Sequence, residues 1–396
     1  MLYVKPSTGL EGFLRAEARS APHSGIVAVA EHARGRPGVI PLWVGEGDLP
    51  TPDFIREAAA ESLAAGHTFY TWQGGIPELR AALARYYERT FGRPFVPEEF
   101  IVTGGGMQAI QLALQAVAGA GEEIVYCSPA WPNISAAFAI AGGIPVPVEL
   151  DFSENGWSLD FDRVEAAITP RTRALFVNTP ANPTGWTADH ETLKALLDLA
   201  RRRGLWIIAD EIYTKFFYSG ARAPSFIDIA SDEDRIIYVN SFSKNWAMTG
   251  WRIGWVRIHP SLGQVFENLV QYSTSGVAEF MQRGAVAALD HGDGFVAEQV
   301  ERARIGRDVL GKILGETGRI RLTRPDGAFY LFFAIDGIGN SHDMAVRIVD
   351  ETGVGLAPGT AFGKGGEQFF RLCFNRRTDH IEEAAERLVV WIRKTG

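Results

Sequence analysis

Cysteine is almost missing from this sequence of 396 residues: Cys127 and Cys373 are the only two, and they stand far apart. Two distant thiols exclude a disulfide framework and a cysteine-rich metal site, and they suit a reducing, cytoplasmic setting. The eight histidines follow no ligand spacing, so no metal is expected. Long apolar runs are absent too. None approaches the ~20 residues of a membrane-spanning helix, and no basic start leads into an apolar stretch at the N-terminus. Neither a membrane segment nor a signal peptide is therefore expected. Basic clusters are scarce: the one run, Arg201-Arg202-Arg203, closes a helical stretch, where cations suit the helix dipole. With a net charge of −8, nucleic acid and anionic membranes are excluded as main partners. GxGxxG and GxxxxGK[ST] are both missing, which removes a dinucleotide fold and an NTP-binding loop.

What the sequence does have is 43 glycines, 46% hydrophobic residues and a length beyond a usual single core, so two domains are expected. The first forty-odd residues read as irregular and end in an apolar piece, Val39–Val44. Thr51-Pro52 places a cap residue and a first-turn proline before a helix that runs to Ala65 and stops at Gly66. A second helix starts at Pro77 and runs toward Gly92. Short apolar runs then recur at Phe100–Thr103, Ile124–Cys127, Pro145–Val148, Ala174–Asn178, Leu205–Ala209, Ile236–Asn240 and Arg252–Arg257. Helical patterns separate most of them, among them Gln108–Ala118, Asp162–Ile168 and Ala188–Arg203. Runs that are apolar throughout suit strands buried on both faces, so an α/β fold with a mainly parallel, helix-covered sheet is expected. Long helices follow Pro260, at Leu262–Tyr272, Ala278–Leu289 and Phe295–Thr317. A second alternation closes the chain, with strands at Ile320–Leu322, Ala328–Ala334, Val354–Ala357 and Phe369–Phe374 and helices at Ser341–Thr352 and Asp379–Lys394. The expected division is a segment 1–45 packing with the small domain, a large domain 46–285 and a smaller domain 286–396.

Four motifs carry chemistry. Ser241-Phe242-Ser243-Lys244 closes a strand and stands eight residues before Arg252. A lysine behind hydroxyls, with an arginine near, suits an aldehyde cofactor that ends in a phosphate, although a solvated lysine is the commoner meaning of such a turn. Thr103-Gly104-Gly105-Gly106-Met107-Gln108 joins a strand to a helix, and reads equally as a tight turn or as a row of N–H donors for a phosphate. Asn178-Thr179-Pro180-Ala181-Asn182-Pro183-Thr184-Gly185 is turn punctuation or a frame that presents the Asn182 amide. Asp210, at the end of a buried strand, is a helix cap or the partner of a protonated ring nitrogen, with Tyr213 three residues on. Near the C-terminus, Arg371 stands alone in the apolar strand Phe369–Phe374, where an arginine is rarely buried without a partner.

In order and approximate spacing, Asn182-Pro183-Thr184-Gly185, Asp210-x-x-Tyr213 and Ser241-x-Ser243-Lys244 with Arg252 resemble the class I/II aminotransferases. The resemblance covers nearly the whole chain and implies the pyridoxal-phosphate-dependent transferase fold type I. That fold has a large domain with a mainly parallel seven-stranded sheet and a smaller α+β domain. It implies pyridoxal 5′-phosphate as cofactor and Lys244 as its covalent anchor and proton carrier. Asp210 would hold the ring nitrogen, and Tyr213 and Asn182 the ring hydroxyl. Ser241, Ser243, Arg252 and the amides around Gly105, Gly106 and Met107 would hold the phosphate, with Trp131 stacked on the ring. Arg371 and Gly45 would receive the substrate carboxylate, and Asn182 would also contact the substrate. Tyr70 matches a tyrosine that reaches the phosphate of a neighbouring subunit, which implies a homodimer with sites at the interface.

Departures from the resemblance bear on the substrate. Aspartate-specific relatives of the bacterial type often carry a lysine where Met107 stands, and small hydroxyl residues where Gly25 and Ile26 stand. An apolar lining without a distal cation would leave a second carboxylate desolvated, so a neutral amino acid, aliphatic or aromatic, is expected with a 2-oxo acid as its counterpart. Two other readings share the cofactor site: a C–S β-lyase and a regulatory protein that binds the cofactor without turnover. The regulators usually carry an appended helix-turn-helix domain, for which this chain has neither room nor a basic patch.

Overall fold

The computed structural model describes residues 9–395. Its centre is a seven-stranded sheet whose spatial order is Phe100–Thr103, Gly254–Arg257, Ile236–Ser241, Trp206–Asp210, Thr172–Asn178, Glu123–Ser128 and Ile144–Glu149. Gly254–Arg257 runs antiparallel to both of its neighbours, and the pairs beyond Ile236–Ser241 are all parallel. Successive residues alternate between two cores. Ile207 and Ala209 face one and Ile208 the other; Val125, Leu175 and Val177 join the first, and Ile124, Ala174 and Phe176 the second. Burial on both faces explains the uninterrupted apolar runs, each such side chain contributing ~1.5–3 kcal/mol of transfer free energy. The expected α/β architecture is thus what the chain adopts.

A four-stranded antiparallel sheet of Ile320–Arg321, Tyr330–Ile335, Phe369–Cys373 and Ala357–Pro358 forms a second layer, covered by the helices Ser341–Thr352, Asp293–Gly315 and Thr378–Lys394. The apolar run expected as one strand over Val354–Ala357 is divided. Val354–Gly355 pairs in parallel with Ile40–Pro41, while Ala357 and Pro358 face Arg371 and Phe370. Leu42 continues the N-terminal strand, donating to the Gly355 carbonyl and accepting from the Cys373 amide at 2.9 Å each. Those two bonds carry residues 43–46 along the strand that holds Arg371.

Three expectations need correction. The N-terminal segment is not irregular throughout, because Gly25–His32 is a helix whose first turn is capped by the Ser24 hydroxyl. Its short length and the glycines and prolines around it hide the periodicity. Thr51 does not cap the helix Asp53–Ala64; its hydroxyl donates to the Ala247 carbonyl at 2.6 Å and accepts from the Trp251 indole at 3.0 Å. Arg252 is not in a strand, since pairing begins at Gly254 and Arg252 has a left-handed backbone with φ 53°. The helix Asn133–Ile140 and the hairpin Asp151–Ser153/Gly156–Ser158 were not anticipated.

Gly355 lies against the Trp43 ring, where an added Cβ has no space. Gly355→Val is expected to lower stability by about 1–3 kcal/mol through overpacking, measured as a lower denaturation midpoint at unchanged m-value.

Candidate active site

The three strands Thr172–Asn178, Trp206–Asp210 and Ile236–Ser241 end side by side, and their last residues Asn178, Asp210 and Ser241 line one cavity of about 520 Å³. This is the carboxyl edge of the sheet, where open α/β folds take ligands. Asn178 ties two of the loops together. Its amide donates to the Asp210 carbonyl at 3.1 Å, and its carbonyl oxygen accepts from the Asn182 amide at 2.9 Å. Lys244 follows Ser241 by one helical turn, and its amine donates to the Gly45 carbonyl at 2.6 Å. The four-stranded sheet adds Tyr330 and Arg371, and the N-terminal segment adds Trp43, Gly45 and Glu46.

Charge in this cavity is poorly compensated. Asp210 is 5% exposed and its carboxylate accepts one hydrogen bond among the described residues, from the Ile212 amide at 3.3 Å, so burial pushes its carboxyl up to about 7. No helix follows it, which excludes the capping role. Burial likewise pulls the Lys244 amine down to about 8. Arg371 is 2% exposed and has no carboxylate partner among the described residues. Its guanidinium donates to Asn182 Oδ1 at 2.9 Å and to the Trp43 carbonyl, and its Nε has no partner among the described residues. An uncompensated buried guanidinium is costly, and it is a ready receptor for a carboxylate.

The glycine loop sits opposite. Gly105 has φ +85° and opens the helix Gly105–Val117, and a Cβ on it would stand 2.8 Å from Arg252 Nη2. Only glycine lets the guanidinium lie this close to the helix N-terminus. Ser241 and Ser243 complete the rim, with their hydroxyl oxygens 2.9 Å apart. Ala247 and Arg252, both non-glycine residues with positive φ, flank the Lys244 turn. Such backbone persists only where the surroundings impose it, and it clusters at functional sites.

The whole chain can be set beside known proteins. The family profile described as Aminotransferase class I and II matches residues 37–388. An aspartate/prephenate aminotransferase of Thermus thermophilus is 36% identical over 352 residues, covering 88% of this chain and 90% of that protein. Aromatic-amino-acid aminotransferase 2 of Thermococcus litoralis is 34% identical over 360 residues, covering 90% and 92%. The solved alanine aminotransferase of Pyrococcus furiosus superposes with a TM-score of 0.90 at 29% identity, over 96% of this chain and 100% of that one. The chain belongs to the class I and II aminotransferases.

In this aminotransferase the cavity gathers Gly45, Gly106, Met107, Trp131, Asn182, Asp210, Tyr213, Ser241, Ser243, Lys244, Arg252 and Arg371, and Gly105 lies behind Arg252. Tyr70 is not brought in: it is 92% exposed, outside the cavity of its own chain. Gly25 also faces elsewhere, packing on Ala361, whereas its neighbours Ile26 and Val27 and the more distant Ala30 do line the cavity. Sequence reasoning missed Asn178, Tyr330, Thr249 and Glu46. Thr249 donates to the Glu46 carboxylate at 2.7 Å, which fastens the Gly45 segment to the Lys244 loop. Nothing local marks Tyr330, which reads as one more aromatic in an apolar strand.

The Asp210 shift has a consequence for stability. A carboxyl raised from 3.8 to about 7 contributes stability that is complete below the unfolded value and lost as pH rises through the folded one. In the cofactor-free protein Asp210→Asn is therefore expected to be the more stable form at pH 8, by up to roughly 4 kcal/mol, with the gain vanishing near pH 4. Urea denaturation at both pH values measures it; an equal difference at the two would contradict the assignment.

Proposed function

We propose that the chain is a pyridoxal-5′-phosphate-dependent aminotransferase that moves an amino group between a neutral amino acid, aliphatic or aromatic, and a 2-oxo acid in a two-half-reaction ping-pong cycle. The observation that carries this is the meeting of Lys244, Asp210, Asn182, Tyr213 and Arg371 in one cavity. The donors suit the cofactor: Asp210 is a buried carboxylate in want of a cationic hydrogen-bond donor, and the glycine loop with Arg252, Ser241 and Ser243 is a cradle for a dianion. When bound, the cofactor supplies an aldehyde that takes the amino group and a protonated ring that withdraws electrons.

The side chains supply the rest. Lys244 Nζ, with a pKa of about 8, reaches the neutral nucleophilic form near physiological pH, serves as covalent anchor and, once released, carries the proton at the substrate Cα. Asp210 holds the ring nitrogen protonated through a charge pair that also relieves its own burial. Asn182 and Tyr213 hold the ring hydroxyl, and Trp131 covers a ring face. Arg371 grips the substrate carboxylate beside the Gly45 backbone, orienting Cα before the proton moves. The division into a segment 1–45, a large domain 46–285 and a small domain 286–396 belongs to this reading, with the site where the two sheets meet.

The names of the relatives point to aspartate, prephenate, aromatic and alanine substrates, so the substrate is argued from the lining. Ile26, Val27, Ala30, Met107, Ile110 and Trp131 are apolar. The cations on the wall are Lys244, Arg252 and Arg371, each already assigned, and Glu46 would repel a second carboxylate. A homodimer is part of the proposal. Phe69, Tyr70, Trp72 and Tyr272 are 74–92% exposed, and Gln73 bonds Gln271 to place their two segments side by side. A second copy covering this aromatic patch would bring its Tyr70 to the cofactor phosphate.

Four tests follow from this reading. Mixing the enzyme with single amino acids and following the cofactor chromophore should show conversion by neutral substrates; rates dominated by aspartate would overturn the substrate class. Ammonia and pyruvate released from cystathionine without a 2-oxo acid would instead favour the β-lyase. Lys244→Ala should abolish borohydride trapping of the cofactor, and an unchanged spectrum would sink the central assignment. Arg371→Gln should raise KM for every amino acid by roughly 30- to 5,000-fold, the equivalent of the ~2–5 kcal/mol of a truncated buried charge contact.

A further inference from the structure

Tyr330 is fully buried and touches three parts of the site from one strand position. Its hydroxyl oxygen lies 2.7 Å from that of Tyr213. The Arg371 guanidinium carbon lies 4.6 Å from the centre of its ring. Residue 45 must be glycine beside it, because a Cβ there would stand 2.5 Å from the Tyr330 hydroxyl. Phenylalanine would fill the same space and keep the ring under the cation. What tyrosine adds is the hydroxyl, and that hydroxyl has one hydrogen-bond partner among the described residues.

In a pair of phenols one donates and the other accepts, and the surroundings decide which. Arg371 above the ring draws electron density from Tyr330 and favours its O–H as donor. Tyr213 then accepts, and its own hydrogen is free to point into the cavity. Burial raises both phenols above their ordinary value, so both keep their hydrogens across the working range. The charged and titratable groups that face them are Arg371, Asp210, Cys373 and Glu46.

We propose that Tyr330 is a positioning residue: by donating to Tyr213 it fixes the direction in which Tyr213 donates, and by carrying Arg371 on its ring it ties the carboxylate site to that same hydroxyl. The proposal rests on the pyridoxal-phosphate reading above, in which Tyr213 holds the ring hydroxyl. Without Tyr330's hydrogen, the Tyr213 oxygen loses the donor that polarises it and fixes its rotation, and its grip on the ring hydroxyl weakens.

The test is an optical pH titration of the substrate-free holoenzyme, in wild type, Tyr330→Phe, Tyr213→Phe and the double variant, with thermal melts to show that each is folded. Tyr330→Phe is expected to raise the apparent pKa of the lysine-linked chromophore by roughly half a unit to one unit, the size of one lost hydrogen bond. In the Tyr213→Phe background the same change should add no shift. No shift in the single variant, or an equal shift in both backgrounds, would overturn the proposal. Steady-state rates give a second readout: kcat should fall several-fold with KM nearly unchanged, since the ring still carries Arg371. A raised KM at unchanged kcat would overturn it as well. A wild-type enzyme that holds no lysine-linked chromophore defeats the functional reading and this proposal together, whereas a chromophore indifferent to Tyr330 defeats this proposal alone.

Discussion

The buried guanidinium of Arg371 is the group on which the rest of the site depends. It is held by Asn182 from the loop after Thr172–Asn178 and by the Trp43 carbonyl from the N-terminal segment, while its own strand belongs to the four-stranded sheet. Three parts of the chain distant in sequence thus converge on one cation. Because no acidic side chain neutralises it among the described residues, these contacts orient the charge without cancelling it. That residual charge is what a carboxylate would meet. A salt bridge in the same place would hold the arginine more firmly and leave nothing to bind with.

The same economy of neutralisation recurs at Asp210 and Lys244. Each is buried enough that its charged form is disfavoured, so the carboxyl rises to about 7 and the amine falls to about 8. Two shifts toward neutrality from opposite sides fit the proposed chemistry, whereas a structural ion pair would drive both the other way. The protein tolerates them because the double-faced core of the seven-stranded sheet is large. Stability lost at these two buried groups is small beside the burial along the strands themselves.

Much of the fold was legible because its signals are local. The apolar runs over Ala174–Asn178 and Ile236–Asn240 needed no knowledge of their neighbours, and Gly92 and Gly204 close their helices with left-handed backbone as glycine allows. The N-terminal helix Gly25–His32 was not legible, since eight residues carry only two turns of pattern. The division of Val354–Ala357 between two sheets was not legible either, because strand pairing depends on partners three hundred residues away, such as Ile40. In the candidate site, Lys244, Asp210 and Asn182 stand in motifs that were ambiguous singly and became candidates through the family resemblance. Asn178 and Tyr330 were not, because each acts through a hydrogen bond to a residue that only the packed structure brings near.

By itself, the sequence determined the α/β class, and it marked strand ends whose residue types suit an aldehyde and a phosphate. These follow from short-range rules of periodicity, turn preference and side-chain chemistry. The tertiary structure alone decided that Arg371 would have no carboxylate partner among the described residues, that Tyr213 would face Tyr330, and that Ile26 rather than Gly25 would line the cavity. Such facts depend on desolvation and on distances across the two sheets. Neither quantity is a property of any segment taken alone.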